Sequence, residues 1–148
     1  MAGIIDWDAA LEQCGGDEEF LVELLGDLNT ELDDQMAKIT QVLNTPVRLN
    51  IKVSKAVIDF DYFIPSHIIN NKHTCLQIFT SESIMTVHRA AHVIKGAAAN
   101  LMCEEIRHRA SLIERASNGA MTKDTLVEQY NALCHAISNF RTALSCKY

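Results

Sequence analysis

The residues Ala91-His92-Val93-Ile94-Lys95-Gly96 bring an imidazole, an ammonium and a glycine together on one stretch of helical sequence. A solvent-exposed imidazole is mostly neutral at neutral pH, and its free nitrogen is a nucleophile able to take up a phosphoryl group. The phosphoramidate so formed stays reactive, which suits transfer rather than hydrolysis. Lys95, three residues on, supplies a compact positive charge that offsets phosphoryl oxygens without a fixed bidentate geometry. Gly96, four residues after His92, removes a side chain where another molecule would have to approach. In a helix interior that glycine costs roughly 1 kcal/mol relative to alanine, so something other than helix stability must account for it. The same spacing also arises by chance on solvated helices, and a glycine can simply allow a close helix crossing. The six residues alone leave both readings open.

The surrounding helix has to hold this histidine on its wet side. Ile84, Val87, Ala91, Ile94, Ala98 and Leu101 recur in steps of three and four, the seam of a helix packed against others. At ~100° per residue His92 lies roughly 130° from the centre of that seam, outside the core. Arg89 and Gly96 share its face, and Lys95 stands on the flank between that face and the seam. His88, one turn earlier, reads as a surface residue.

Four further helices are legible. Asp6 caps a short helix over Trp7 to Cys14 that stops at Gly15-Gly16. Asp17, followed by Glu18 and Glu19, opens a long amphipathic helix with Leu21, Leu24, Leu25, Leu28, Leu32, Met36, Ile39 and Leu43 on its stripe, ending near Pro46. Ile106, Ala110 and Ile113 mark a helix from Glu104 to Ser117, stopped at Asn118-Gly119. Thr122 caps the last, with Leu126, Tyr130, Leu133, Ile137, Phe140 and Leu144 along one face. The expected fold is all-α: an up-and-down antiparallel four-helix bundle with a short N-terminal lid helix.

Residues 46–80 fall outside this pattern. They hold both prolines, are rich in Val, Ile and Phe, and lack a helical period. Connections between bundle helices usually run ~2 to 8 residues. The segment therefore reads as an irregular, hairpin-like insertion between the second and third helices, or as a translated intron, within a single domain spanning 1–148.

Composition narrows the partners. A net charge of −6, with eleven acids against Lys38 alone in residues 1–45, disfavours nucleic acid. No apolar run reaches the roughly 20 residues of a membrane span, and the N-terminus lacks a signal-like pattern, so a soluble intracellular protein is expected. The cysteines, Cys14, Cys75, Cys103, Cys134 and Cys146, are odd in number and unpaired in spacing, which suits reduced thiols better than disulfides or zinc. Glu105-Ile106-Arg107-His108 has the Glu-x-x-His spacing of carboxylate-bridged metal bundles, but such sites need a second copy and two more inward glutamates. His135 beside Cys134 gives too few groups for a site.

Ala91-His92-Val93-Ile94-Lys95-Gly96-Ala97-Ala98-Ala99-Asn100-Leu101 resembles the AHxLKGxxxxL motif of histidine-containing phosphotransfer (HPt) domains, the relay modules of multistep two-component signalling. Asp6-Trp7-Asp8-Ala9-Ala10-Leu11 with Gly16-Asp17 resembles the usual opening of that family, and Leu112-Ile113-Glu114 matches a later segment loosely. Met102 departs from the pattern, standing where the family commonly has glycine. The resemblance implies that His92 is phosphorylated, Lys95 is the nearby cation and Gly96 the gap for a docking receiver domain. Met85, Arg89 and Ala99 are the candidate docking contacts. It further implies a monomeric cytoplasmic phosphocarrier rather than an enzyme, reaching the nucleus in a eukaryote. Its partners would be response-regulator receiver domains and hybrid histidine kinases. No cofactor is expected on this chain, Mg²⁺ being brought by the receiver. The alternative is a helical module that binds receivers without carrying phosphate.

Overall fold

The computed structural model describes residues 4–45, 79–119 and 122–148. It is all-α, with α1 (Trp7–Gln13), α2 (Glu18–Asn44), α3 (Ser81–Asn100), α4 (Glu104–Ser117) and α5 (Lys123–Lys147), and no strand among the described residues. The insertion assigned to 46–80 lies outside the described residues except for its last two. Those two lead into α3: Phe79 packs half-buried on the core, and the Thr80 hydroxyl caps the helix by accepting from the Ser83 amide at 3.1 Å. The polar starts foreseen for the other helices are also made. Asp6 accepts from the Ala9 amide at 3.1 Å, Asp17 from Phe20 at 3.0 Å and Thr122 from Thr125 at 3.2 Å, each satisfying an amide that has no partner inside its helix.

The apolar stripes converge on one core, in which Leu25, Leu32, Ile39, Ile94, Ile106, Ile113, Leu133 and Phe140 are at most 1% exposed. The α3 seam is buried as its spacing requires at Val87, Ala91, Ile94, Ala98 and Leu101; Ala90 joins it, while Ile84 in the first turn is half-buried. Helix α3 packs against α2 and α4, and α5 against α4 and α2. The N-terminal segment reaches across one end: the Asp6 amide donates to the Met102 carbonyl at 3.3 Å, and Trp7 lies edge-on to Tyr148 with ring centroids 6.1 Å apart. No helix among the described residues is long and apolar enough to cross a membrane.

The α3–α4 turn fixes the register on which the site depends. Cys103 donates to the Ala98 carbonyl at 2.9 Å and Met102 to Ala99 at 3.3 Å, the paired bonds of a Schellman stop. That motif needs a left-handed residue at its penultimate position, and Met102 takes it with φ +54°. The methionine thus adopts the backbone conformation that makes glycine the usual choice there.

Candidate functional site

The short turn folds α3 and α4 back on each other, so residues at similar distances from it lie side by side. His92 stands nine residues before Leu101, and Glu114 eleven after Cys103. At 1.5 Å of rise per residue the two are nearly level. His92 Nδ1 lies 2.7 Å from Glu114 Oε1, and Lys95 donates from Nζ to Glu114 Oε2 at 2.5 Å. One carboxylate therefore holds both the imidazole and the ammonium that the sequence singles out.

Exposure divides the three groups by task. The Glu114 side chain is 13% exposed, Lys95 33% and His92 66%. Ile113 beside Glu114 is fully buried, which draws the carboxylate down against the core edge while leaving the ring in solvent. The Lys95 hydrogen bond first, and that of His92 second, hold the Glu114 carboxyl below its ordinary range, outweighing burial. It is thus a carboxylate, and a carboxylate only accepts hydrogen bonds. His92 must carry its proton on Nδ1 to make this bond, which leaves the Nε2 lone pair free in the neutral ring. A nucleophile oriented by an acid is the arrangement expected of covalent group transfer.

The remaining sequence candidates are distributed along the same helix. Among the described residues a Cβ built on Gly96 meets nothing within 4 Å, so the glycine does not serve packing against them. Met85 is 46% exposed, Arg89 is exposed and Ala99 is half-buried. Val93, 40% exposed beside His92, is an apolar surface residue that the sequence reading did not single out. His88 corrects that reading. It is half-buried rather than on the open surface, because Ser117 of α4 lies opposite and its Oγ stands 2.9 Å from His88 Nδ1. Glu114 was legible only as part of a loose segment match. The signal that locates it is its distance from the turn, nearly equal to that of His92.

Other candidates are not drawn into this site. Among the described residues no three His, Cys, Asp or Glu side chains cluster to hold a metal ion, and Glu105 and His108 do not join the His92 group. Cys14, Cys103, Cys134 and Cys146 are free thiols; burial pushes Cys103 up to about 12, and Cys75 lies outside the described residues. His135 Nδ1 lies 3.3 Å from the side-chain amide of Asn139. A groove of about 410 Å³ between α2 and α3, bordered by Leu24, Asp27, Glu31, Ala97 and Asn100, leaves out His92. Gln13 and Cys14 at the end of α1 also border it. No family model, curated protein or solved structure matches the chain.

Proposed function

We propose that this chain is a phosphocarrier of the HPt type, built as an up-and-down antiparallel four-helix bundle with α1 as its lid. His92 accepts a phosphoryl group from the phosphoaspartate of a receiver domain and passes it to another receiver. The observation that carries this reading is the hydrogen bond between His92 Nδ1 and Glu114, which in the neutral ring leaves Nε2 of an exposed imidazole without a proton.

In the proposed step the receiver docks over the α3 face and His92 Nε2 attacks phosphorus in line with the aspartyl oxygen. The N–P bond forms as the P–O bond breaks, and the aspartate leaves with the bonding electrons as a carboxylate. The ring, now bearing a positive charge, keeps its Nδ1 proton against Glu114. Lys95 gives one of its three donors to Glu114, and the others are available to phosphoryl oxygens. Charge stabilisation by Mg²⁺ belongs to the receiver, whose own carboxylates hold the metal. Met85 and Val93 give the docking face apolar anchors, Gly96 lets the partner backbone come close, and Arg89 and Ala99 complete the contact.

The test is incubation with a phosphorylated receiver domain. Wild-type protein is expected to gain an acid-labile, alkali-stable phosphate, and a His92→Gln variant none. Equal labelling of the two ends the His92 assignment, and tight receiver binding without any labelling establishes the binding-only module instead.

A further inference from the structure

Glu114 lies in the last turn of α4, three residues before the helix ends at Ser117. Helix ends fray, and carbonyls there lack amide partners inside the helix. The Asn118 amide, which would serve the Glu114 carbonyl in a longer helix, bonds the Arg115 carbonyl instead at 3.2 Å, and the Gly119 amide bonds Ala116 at 3.1 Å. Asn118 is exposed and right-handed and Gly119 after it does not take a positive φ, so this end has no left-handed stop of the kind that closes α3. The carboxylate that orients His92 thus sits on a turn that needs support from elsewhere.

Ser117 supplies it. Its hydroxyl lies in a residue only 6% exposed and donates to the Glu114 carbonyl at 2.6 Å. A hydroxyl has one proton to give. Toward His88 Nδ1, 2.9 Å away, the same oxygen can therefore only accept, and His88 must carry its proton on Nδ1. That proton is present in this neutral tautomer and in the imidazolium alike, so the contact survives a change of charge on the ring. The chain His88, Ser117, Glu114 carbonyl ties the last turn of α4 to α3 one helical turn from His92.

We infer that His88 and Ser117 form a latch that keeps the Glu114 carboxylate level with His92, making both of them positioning residues for transfer at that ring. This deepens the phosphocarrier reading and rests on it. Neither residue touches the phosphoryl group. Without the latch the Glu114 turn loosens, the His92 Nδ1–H bond is populated less, and Nε2 carries the proton for a larger share of the time.

The experiment reads the tautomer of His92 from its ring ¹⁵N resonances, alongside the rate of transfer from a phosphorylated receiver. In wild type the Nδ1–H form dominates. Ser117→Ala and His88→Leu are expected to shift the ring toward a mixture and to slow transfer about ten-fold, the order of loss for a misplaced reacting group. Ser117→Thr keeps the hydroxyl, and His88→Asn keeps a donor near the Nδ1 position; both are expected to restore tautomer and rate. Unchanged His92 resonances in the folded Ala and Leu variants overturn the latch, as does failure of the Thr and Asn variants to restore them. A variant that loses its helical circular dichroism counts against a positioning role, since it makes the pair merely structural. If wild-type protein takes no phosphate from receivers, the phosphocarrier reading fails, while the ring resonances still decide the latch.

Discussion

On the face between α2 and α5, Arg141 reaches Asn29 at 2.7 Å and Asp33 at 2.6 Å, and both members of that ion pair stand in water, at 43% and 65% exposure. On the face between α3 and α4 a carboxylate also reaches across, but Glu114 is 13% exposed while the ring it holds is 66% exposed. Both contacts join two helices at similar distances. Solvent screens the first, so little depends on it. The second hides its charged anchor and presents the group it anchors, as orienting a reactive ring requires. Burial of the acid relative to its partner, rather than the presence of a cross-helix bond, separates a surface clamp from a site.

The sharpest way to break this contrast is Glu114→Gln. A glutamine amide can donate to His92 Nδ1, which favours the tautomer with its proton on Nε2 and removes the lone pair needed for attack. Transfer from a phosphorylated receiver is expected to fall about 10²-fold, or roughly 2.7 kcal/mol in the barrier. Labelling of the variant at the wild-type rate would reduce Glu114 to a surface acid like Asp33.

Acid sharpens the same point through stability. The folded chain holds the Glu114 carboxyl below its ordinary value of 4.5, so protons bind the unfolded chain more readily. The stabilisation is complete above that value and is lost as pH falls through the lower folded one. Wild type is expected to lose more of its urea midpoint than Glu114→Gln on going from about pH 5 to about pH 3. Parallel curves for the two proteins would mean that the carboxylate gains nothing from Lys95 and His92.

How much of this could be read from residue types depends on whether one helix or two are involved. Asp6, Asp17 and Thr122 announce their helices because a cap is a bond within a few residues, and the α3 seam places His92 outside the core because periodicity is a property of a single helix. Glu114 and His88 escape that logic. Helical phase says which way a residue points but not what lies opposite, so Glu114 is visible only within a loosely matching segment and His88 reads as a surface ring. Counting outward from Leu101–Cys103 pairs His92 with Glu114 and His88 with Ser117, which requires knowing first that the two helices form a tight hairpin. The segment set apart at 46–80 ends at Thr80, the cap residue that immediately precedes the first residue of α3, Ser81. Its bulk, residues 46–78, lies outside the described structure.

Met102 tests whether stability and the site can be separated inside one hairpin. Its φ of +54° puts a Cβ into the left-handed region, a strain of roughly 1–2 kcal/mol that glycine does not bear. Glycine also has more freedom to lose on folding, which takes back roughly 0.5–1 kcal/mol. Met102 also packs half-buried against the core, and losing its side chain forfeits roughly 1 kcal/mol more, so Met102→Gly is expected to change unfolding stability by less than about 1 kcal/mol, measured by urea titration, and to leave the transfer rate unchanged. A change in rate would show that the turn sets the His92–Glu114 register more finely than the Schellman bonds imply.

The smallest effect is expected on the face between α2 and α5. Arg141→Ala removes two cross-helix hydrogen bonds, yet Arg141 and Asp33 both have water to replace each other, and the side chain no longer has to be held in one rotamer. The α2 and α5 helices remain joined beneath it through Leu32, Ile39, Leu133 and Phe140, which the substitution leaves buried. Stability is expected to fall by no more than about 0.5 kcal/mol, and less in 1 M salt than at low ionic strength, where screening is weaker. Transfer should be unaffected. A loss several times larger, or one insensitive to salt, would mean that the Arg141 pair is shielded from solvent after all, and the two faces would then differ in what they hold rather than in how they are built.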